Sequence, residues 1–151
     1  MKRFEFKLES LLRFRTHLEQ VAKQELARAV LELTTCQEQI QVLESSHKTW
    51  TDQLEKQVKK GVAAAVFRQH HEYLSAIRQM IAGEKQRERY LEKVVTDKRA
   101  ALKKRSVDKK AMERLREKRG KEYAHEMLLA EQKELDEISS LKKAREISNG
   151  M

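Results

Sequence analysis

From Leu26 onward the apolar positions step by three and four without interruption: Leu26, Ala29, Leu33, Cys36, Ile40, Leu43, His47, Trp50 and Leu54. A repeat averaging 3.5 residues places all of these on one helical stripe and makes them the a/d seam of a coiled coil. Upstream, Leu8, Leu11, Arg15, Leu18 and Ala22 extend the stripe, with a doubled step of four that reads as a stutter in the supercoil. A second series follows Gly61: Phe67, Leu74, Ile77, Ile81, Glu84, Glu88, Leu91, Val95, Lys98, Leu102, Arg105, Lys109 and Met112. It keeps heptad spacing but carries charge at several seam positions.

Lys59-Lys60-Gly61-Val62 is where a glycine coincides with a break in register, and glycine is the residue that most readily ends a helix. The expected fold is therefore all-α: a long antiparallel two-helix coiled-coil hairpin. Helix one should span about residues 8 to 58, the turn about 59 to 64, and helix two about 65 to 147, in a single domain covering 1–151. If the helices pair about this turn, facing residues have numbers summing to about 124. Trp50 then meets Leu74, Leu43 meets Ile81, Leu33 meets Leu91, Ala29 meets Val95, Ala22 meets Leu102 and Leu11 meets Met112. A parallel homodimer is the alternative, but its seam would have to carry Gly61 and the lost register in mid-helix. Beyond about Arg116 the second helix should overhang without an intramolecular partner, still showing a stripe of Tyr123, Met127, Leu128, Leu135, Ile138 and Leu141.

Composition agrees with helices and little else. The chain has 151 residues, no proline and four glycines, so it lacks the turn punctuation that a sandwich, a barrel or an α/β sheet requires. Cys36 is the lone cysteine, which excludes an intrachain disulfide and fits a reducing compartment. Charges interrupt the N-terminal residues, and the longest apolar run, Val62 to Phe67, has six residues. Neither a secretory signal nor a membrane span is expected.

The net charge of +9 is concentrated. Residues 98–121 hold twelve basic residues against Asp108, Glu113 and Glu117, while residues 122–137 hold six acids against Lys133. A basic helix of this kind can be a solvated face, a contact for an acidic protein surface, or a nucleic-acid-binding arm. It has no aromatic residue to stack on bases and no zinc-knuckle or helix-turn-helix spacing, so nucleic acid is the least expected partner.

The candidates for chemistry are few. His125-Glu126 opens like a zinc-protease helix, but Leu129 stands where the second ligand belongs. The glycines stand singly, so no loop can cradle a phosphate. Cys36 reads as a small seam hydrophobe, and Glu84 and Glu88 share a helix face with no cleft to shift their ionisation. No catalytic site, cofactor or metal is expected. The function should lie in what the helices touch.

The opening Phe4-x-Phe6-x-Leu8-x-x-Leu11-Leu12-x-x-Arg15, the hairpin near Gly61-Val62, the stretch Ala111 to Arg119 and the late Lys133-Glu134-Leu135-Asp136-Glu137 together resemble the FliJ-type flagellar export proteins over nearly the whole chain. The resemblance implies a non-enzymatic stalk or adapter of the bacterial flagellar type III export apparatus. Its implied partners are the hexameric export ATPase, the transmembrane export gate and export chaperones, which it helps to recycle. Its implied location is cytoplasmic, peripheral at the inner membrane through the apparatus, with no direct membrane insertion. Ring contact is expected near the termini through Phe4, Phe6, Leu12, Arg105, Lys109, Arg114, Arg116 and Arg119. Gate contact is expected on the other half of the hairpin through Gln39, Leu43, Trp50, Tyr73, Ile77 and Met80. The equivalent stalk of a virulence secretion system and a basic nucleic-acid-binding coiled coil are the alternatives.

Overall fold

A computed structural model describes residues 3–150; Met1, Lys2 and Met151 of the expected single domain lie outside the described residues. Two helices follow in chain order, α1 over Glu9–Lys60 and α2 over Ala64–Asn149. They are 52 and 86 residues long, and the fold is an all-α helical hairpin. Both ends of α1 have a local cause. Glu9 in the first turn and Lys59 and Lys60 in the last complement the dipole of α1. Gly61 donates its N–H to the Val58 carbonyl at 3.2 Å, closing the helix, and takes φ +86°, the left-handed conformation in which the chain turns away from it.

Residues divide into two compact units, one of Met1–Leu18 with Ser106–Met151 and one of Glu19–Arg105. In the second unit the two helices run antiparallel, with exposed ion pairs across them from Lys98 to Glu25 at 3.1 Å and from Lys85 to Glu44 at 3.3 Å. Its core is a single file of side chains in which Ala22, Ala29, Cys36 and Ile40 of α1 and Leu74, Ile77, Leu91 and Val95 of α2 are all buried. Cys36, Ile40 and Leu91 form one cluster with Leu33 against it. In the first unit Phe6, Leu12 and Met112 form another, flanked by Phe4, Leu8 and Leu115.

The burial pattern revises the expected seam at three places. Along α1 it runs Leu8, Leu12, Arg15, Glu19, Ala22 and Leu26, so Leu12 rather than Leu11 meets Met112, and Leu11 is exposed. These steps alternate four and three without a doubled four. The stutter is absent because the regular heptad holds, even though it buries Glu19 in place of Leu18. Glu19 keeps its charge tolerable through Lys23, 3.3 Å away on the next turn. On α2, Arg105 is exposed while Ser106 is half-buried, because a guanidinium on a long stem turns to water where a small hydroxyl can stay. Phe67 is also exposed, at a level where α1 residues 55–60 are exposed too and the seam has ended.

The largest revision concerns the first residues. Residues 3–8 precede α1, and the structure lays Phe4 and Phe6 along α2 well past Arg116. The exposed overhang therefore starts only after Met127, which is still half-buried. From Leu128 to Ile147 the large apolar side chains are exposed.

Candidate functional site

The terminal unit is built by short-range geometry around the non-helical N-terminal segment. The Phe4 ring lies 5.5 Å from the Tyr123 ring at a 44° tilt, and the Arg119 guanidinium sits 5.9 Å over the Phe6 ring. Arg116 reaches Glu9 at 3.4 Å, and Arg15 donates from Nη1 to the Asp108 carbonyl at 3.1 Å. Four cross-segment contacts thus hold residues 3–15 against 108–123. The Tyr123 hydroxyl is enclosed without a hydrogen-bond partner, so its ring is held there by packing.

This arrangement sorts the residues expected to meet an ATPase ring. Phe6 and Leu12 are buried, at 8% and 7% exposure, and serve the core of the unit. Phe4 is half-buried against Tyr123. Lys109 lies 3.6 Å from Glu113, while Arg116 and Arg119 face Glu9 and Phe6. Arg114 is exposed in this unit, and Arg105 is exposed in the other. The unit therefore presents a basic outer face carried on an aromatic clasp, which can attract an acidic surface by long-range electrostatics.

In the central unit, Trp50 packs edge-on to Tyr73 at 5.0 Å and lies 5.6 Å from His70. Of the residues expected to meet the gate, Gln39, Tyr73 and Met80 are exposed, Leu43 and Trp50 are half-buried, and Ile77 is buried at 4% exposure. Ile77 is a core residue in this state. Tyr73, Trp50 and Met80 leave an aromatic and sulfur-bearing surface beside it.

The Cys36 thiol is displaced from its ordinary range. Cys36, at 2% exposure, points its thiol at the Glu84 carbonyl and at Glu84 Oε2, each 3.4 Å away. Burial first, and then the hydrogen bond to Glu84, push the thiol above its usual range. Cys36 is thus a buried seam residue, and its charge-bearing neighbour Glu84 is one that the heptad spacing already places on the facing seam. Among the described residues no group of three His, Cys, Asp or Glu could hold a metal ion, and no helix is long and apolar enough to cross a membrane.

Long paired helices and a clasped terminal unit define the class of all-α helical-hairpin proteins. Residues 4–148 match the family described as "Flagellar FliJ protein", and the chain belongs to that family. It is accordingly a type III export stalk-like protein of the flagellar export and protein-transport machinery. Among solved structures, a Chlamydia trachomatis protein described as a YscO homologue superposes with a TM-score of 0.61 at 20% identity. The similarity covers 92% of this chain and 94% of that one and shows a shared fold. A search of curated proteins gives no match.

Proposed function

We propose that this protein is a non-enzymatic stalk of the flagellar type III export apparatus. Its terminal unit binds the export ATPase hexamer, and its central unit contacts the transmembrane export gate. In this reading it also helps recycle export chaperones and resides in the cytoplasm, held at the inner membrane by the apparatus, with the whole chain acting as one domain. The observation that carries the proposal is the family match over residues 4–148, which takes in both units and both helices.

The mechanism follows from symmetry and mass action. A two-helix stalk presents different residues at each angle, so it touches the subunits of a ring unequally and favours whichever conformation fits best. Binding that prefers the assembled ring over free subunits raises the fraction assembled and with it the hydrolysis rate. The exposed cations of the terminal unit, Arg114 and Lys118 among them, supply attraction at a distance. The Phe4 and Phe6 clasp supplies a firm mount.

The test is ATP hydrolysis by the cognate export ATPase with and without this protein. Reversing Arg116 and Arg119 would also disturb Glu9 and Phe6, so the informative variant is Arg114→Glu with Lys118→Glu. Stimulation by the wild type that this variant loses supports the stalk. Absence of stimulation and of co-elution at low salt refutes it. A mobility shift with DNA at physiological salt, without binding to the ATPase, would favour the nucleic-acid alternative.

A further inference from the structure

The longest apolar run in the chain, Val62 to Phe67, falls at the reversal between α1 and α2. The seam has ended at this level, and Val62 alone of the run is half-buried, so the rest is not consumed by packing. Ala63, Ala64 and Ala65 are exposed, Val66 and Phe67 are 38% and 42% exposed, and Val58 on the α1 side is 50% exposed. Val58, Gly61, Val62, Ala64, Phe67 and Arg68 line a shallow open depression. The flanks differ from the rest of the chain. Residues 56–71 form its longest stretch without Asp or Glu, and carry Lys56, Lys59, Lys60 and Arg68 together with His70 and His71.

We infer that this tip docks on an anionic lipid surface, with the apolar turn entering the headgroup region and the lysines and Arg68 resting on lipid phosphates. Two features select a membrane over a protein groove. A helix bound in a groove buries one stripe, with anchors three and four residues apart. Here the first four residues of α2, Ala64 to Phe67, are all apolar, so they point all round the helix, and Val58, Val62 and Ala63 add the α1 side and the turn. A fluid, non-directional phase can cover such a tip at once. The cations sit on both flanks of the run, where long stems keep their charge at the headgroup level while the turn lies deeper, and basic residues close to an anionic leaflet each strengthen binding. The contact is interfacial and needs no spanning helix. It rests on the tip alone and is independent of the ATPase reading.

The experiment is flotation of the full chain with vesicles of phosphatidylcholine mixed with phosphatidylglycerol, and with phosphatidylcholine alone. Binding is expected to the mixed vesicles and not to the neutral ones, weakening as salt rises. Lys59→Glu with Lys60→Glu should lower binding by about tenfold or more. Val66→Ser with Phe67→Ser should lower it as clearly; both side chains are exposed, and circular dichroism checks that the helices persist. Lys103→Glu with Lys104→Glu makes the same charge change in the strongly basic segment and should alter binding far less. Failure of the wild type to float overturns the inference. So does wild-type binding by the serine variant, or an equal loss in the Lys103 and Lys104 variant, which would show generic charge attraction.

Discussion

The Phe4 ring packs 5.5 Å from the Tyr123 ring, so a residue ahead of the first helix is joined to one deep in the second. That contact, with Phe6 beneath Arg119, makes the N-terminal segment a structural part of the terminal unit.

Phe6→Ala should therefore destabilise the terminal unit by about 3 kcal/mol, as removal of a buried phenyl ring does. Phe4→Ala, at a half-buried ring, should cost less. Limited trypsin digestion reads this locally, with faster cleavage after Lys7 and Arg13 in Phe6→Ala while the central unit stays protected. Unchanged cleavage would show that the clasp is not held in solution.

The Cys36 thiol should resist alkylation in the folded protein near neutral pH and react quickly once denaturant is added. Its raised pKa means that the folded state retains the proton at a pH where the unfolded chain has lost it. Its contribution is thus fully present below the unfolded thiol's pKa and is lost as pH rises through the folded value. Thermal unfolding above pH 9 should fall more steeply for wild type than for Cys36→Ala. Parallel slopes would remove the thiol from the pH dependence.

Glycine replacement should change sign with position. Gly61 has open space for a Cβ but a φ of +86°, so Gly61→Ala should cost about 1 kcal/mol through backbone strain. Gly83 lies inside α2 with nothing near, and Gly120 would place a Cβ 3.8 Å from Phe4 in ordinary contact. Alanine at either should stabilise by about 0.5 to 1 kcal/mol. Melting temperatures of the three variants decide it, and a stabilising Gly61→Ala would deny the left-handed turn.

Exposed ion pairs should matter little. Lys85 and Glu44 lie 3.3 Å apart with both side chains half-exposed, so Lys85→Ala should shift stability by about 0.5 kcal/mol or less. Arg15→Ala should cost more, about 1 to 2 kcal/mol, because Arg15 donates a charged hydrogen bond to the partly buried Asp108 carbonyl. Denaturant titration compares the two directly, and equal effects would show that the Arg15 bond does not persist in solution.

Sequence reading succeeded where the physics is one-dimensional. Heptad spacing located both helices, and Gly61 located the reversal because few other residues tolerate its backbone angle. Of the pairs expected from the sum of about 124, Leu33 and Leu91 do pack in one cluster, while Leu12 takes the place expected of Leu11 against Met112. It failed where residue type was trusted over period. The expected stripe runs through Leu11 and Leu18, whereas the structure buries Leu12 and Glu19, because an unbroken heptad outweighs the cost of one paired charge.

By itself the sequence determined the fold class, the turn and the family, since all three rest on the order and spacing of residues along a chain with no proline to interrupt it. The tertiary structure decided which candidate contacts remain at the surface. Phe6, Leu12 and Ile77 are withdrawn into packing, while Tyr73, Met80, Arg114 and the apolar tip stay exposed. It also decided that an irregular six-residue segment clasps Tyr123, because such a segment has no period and its position is fixed only by the surface it buries.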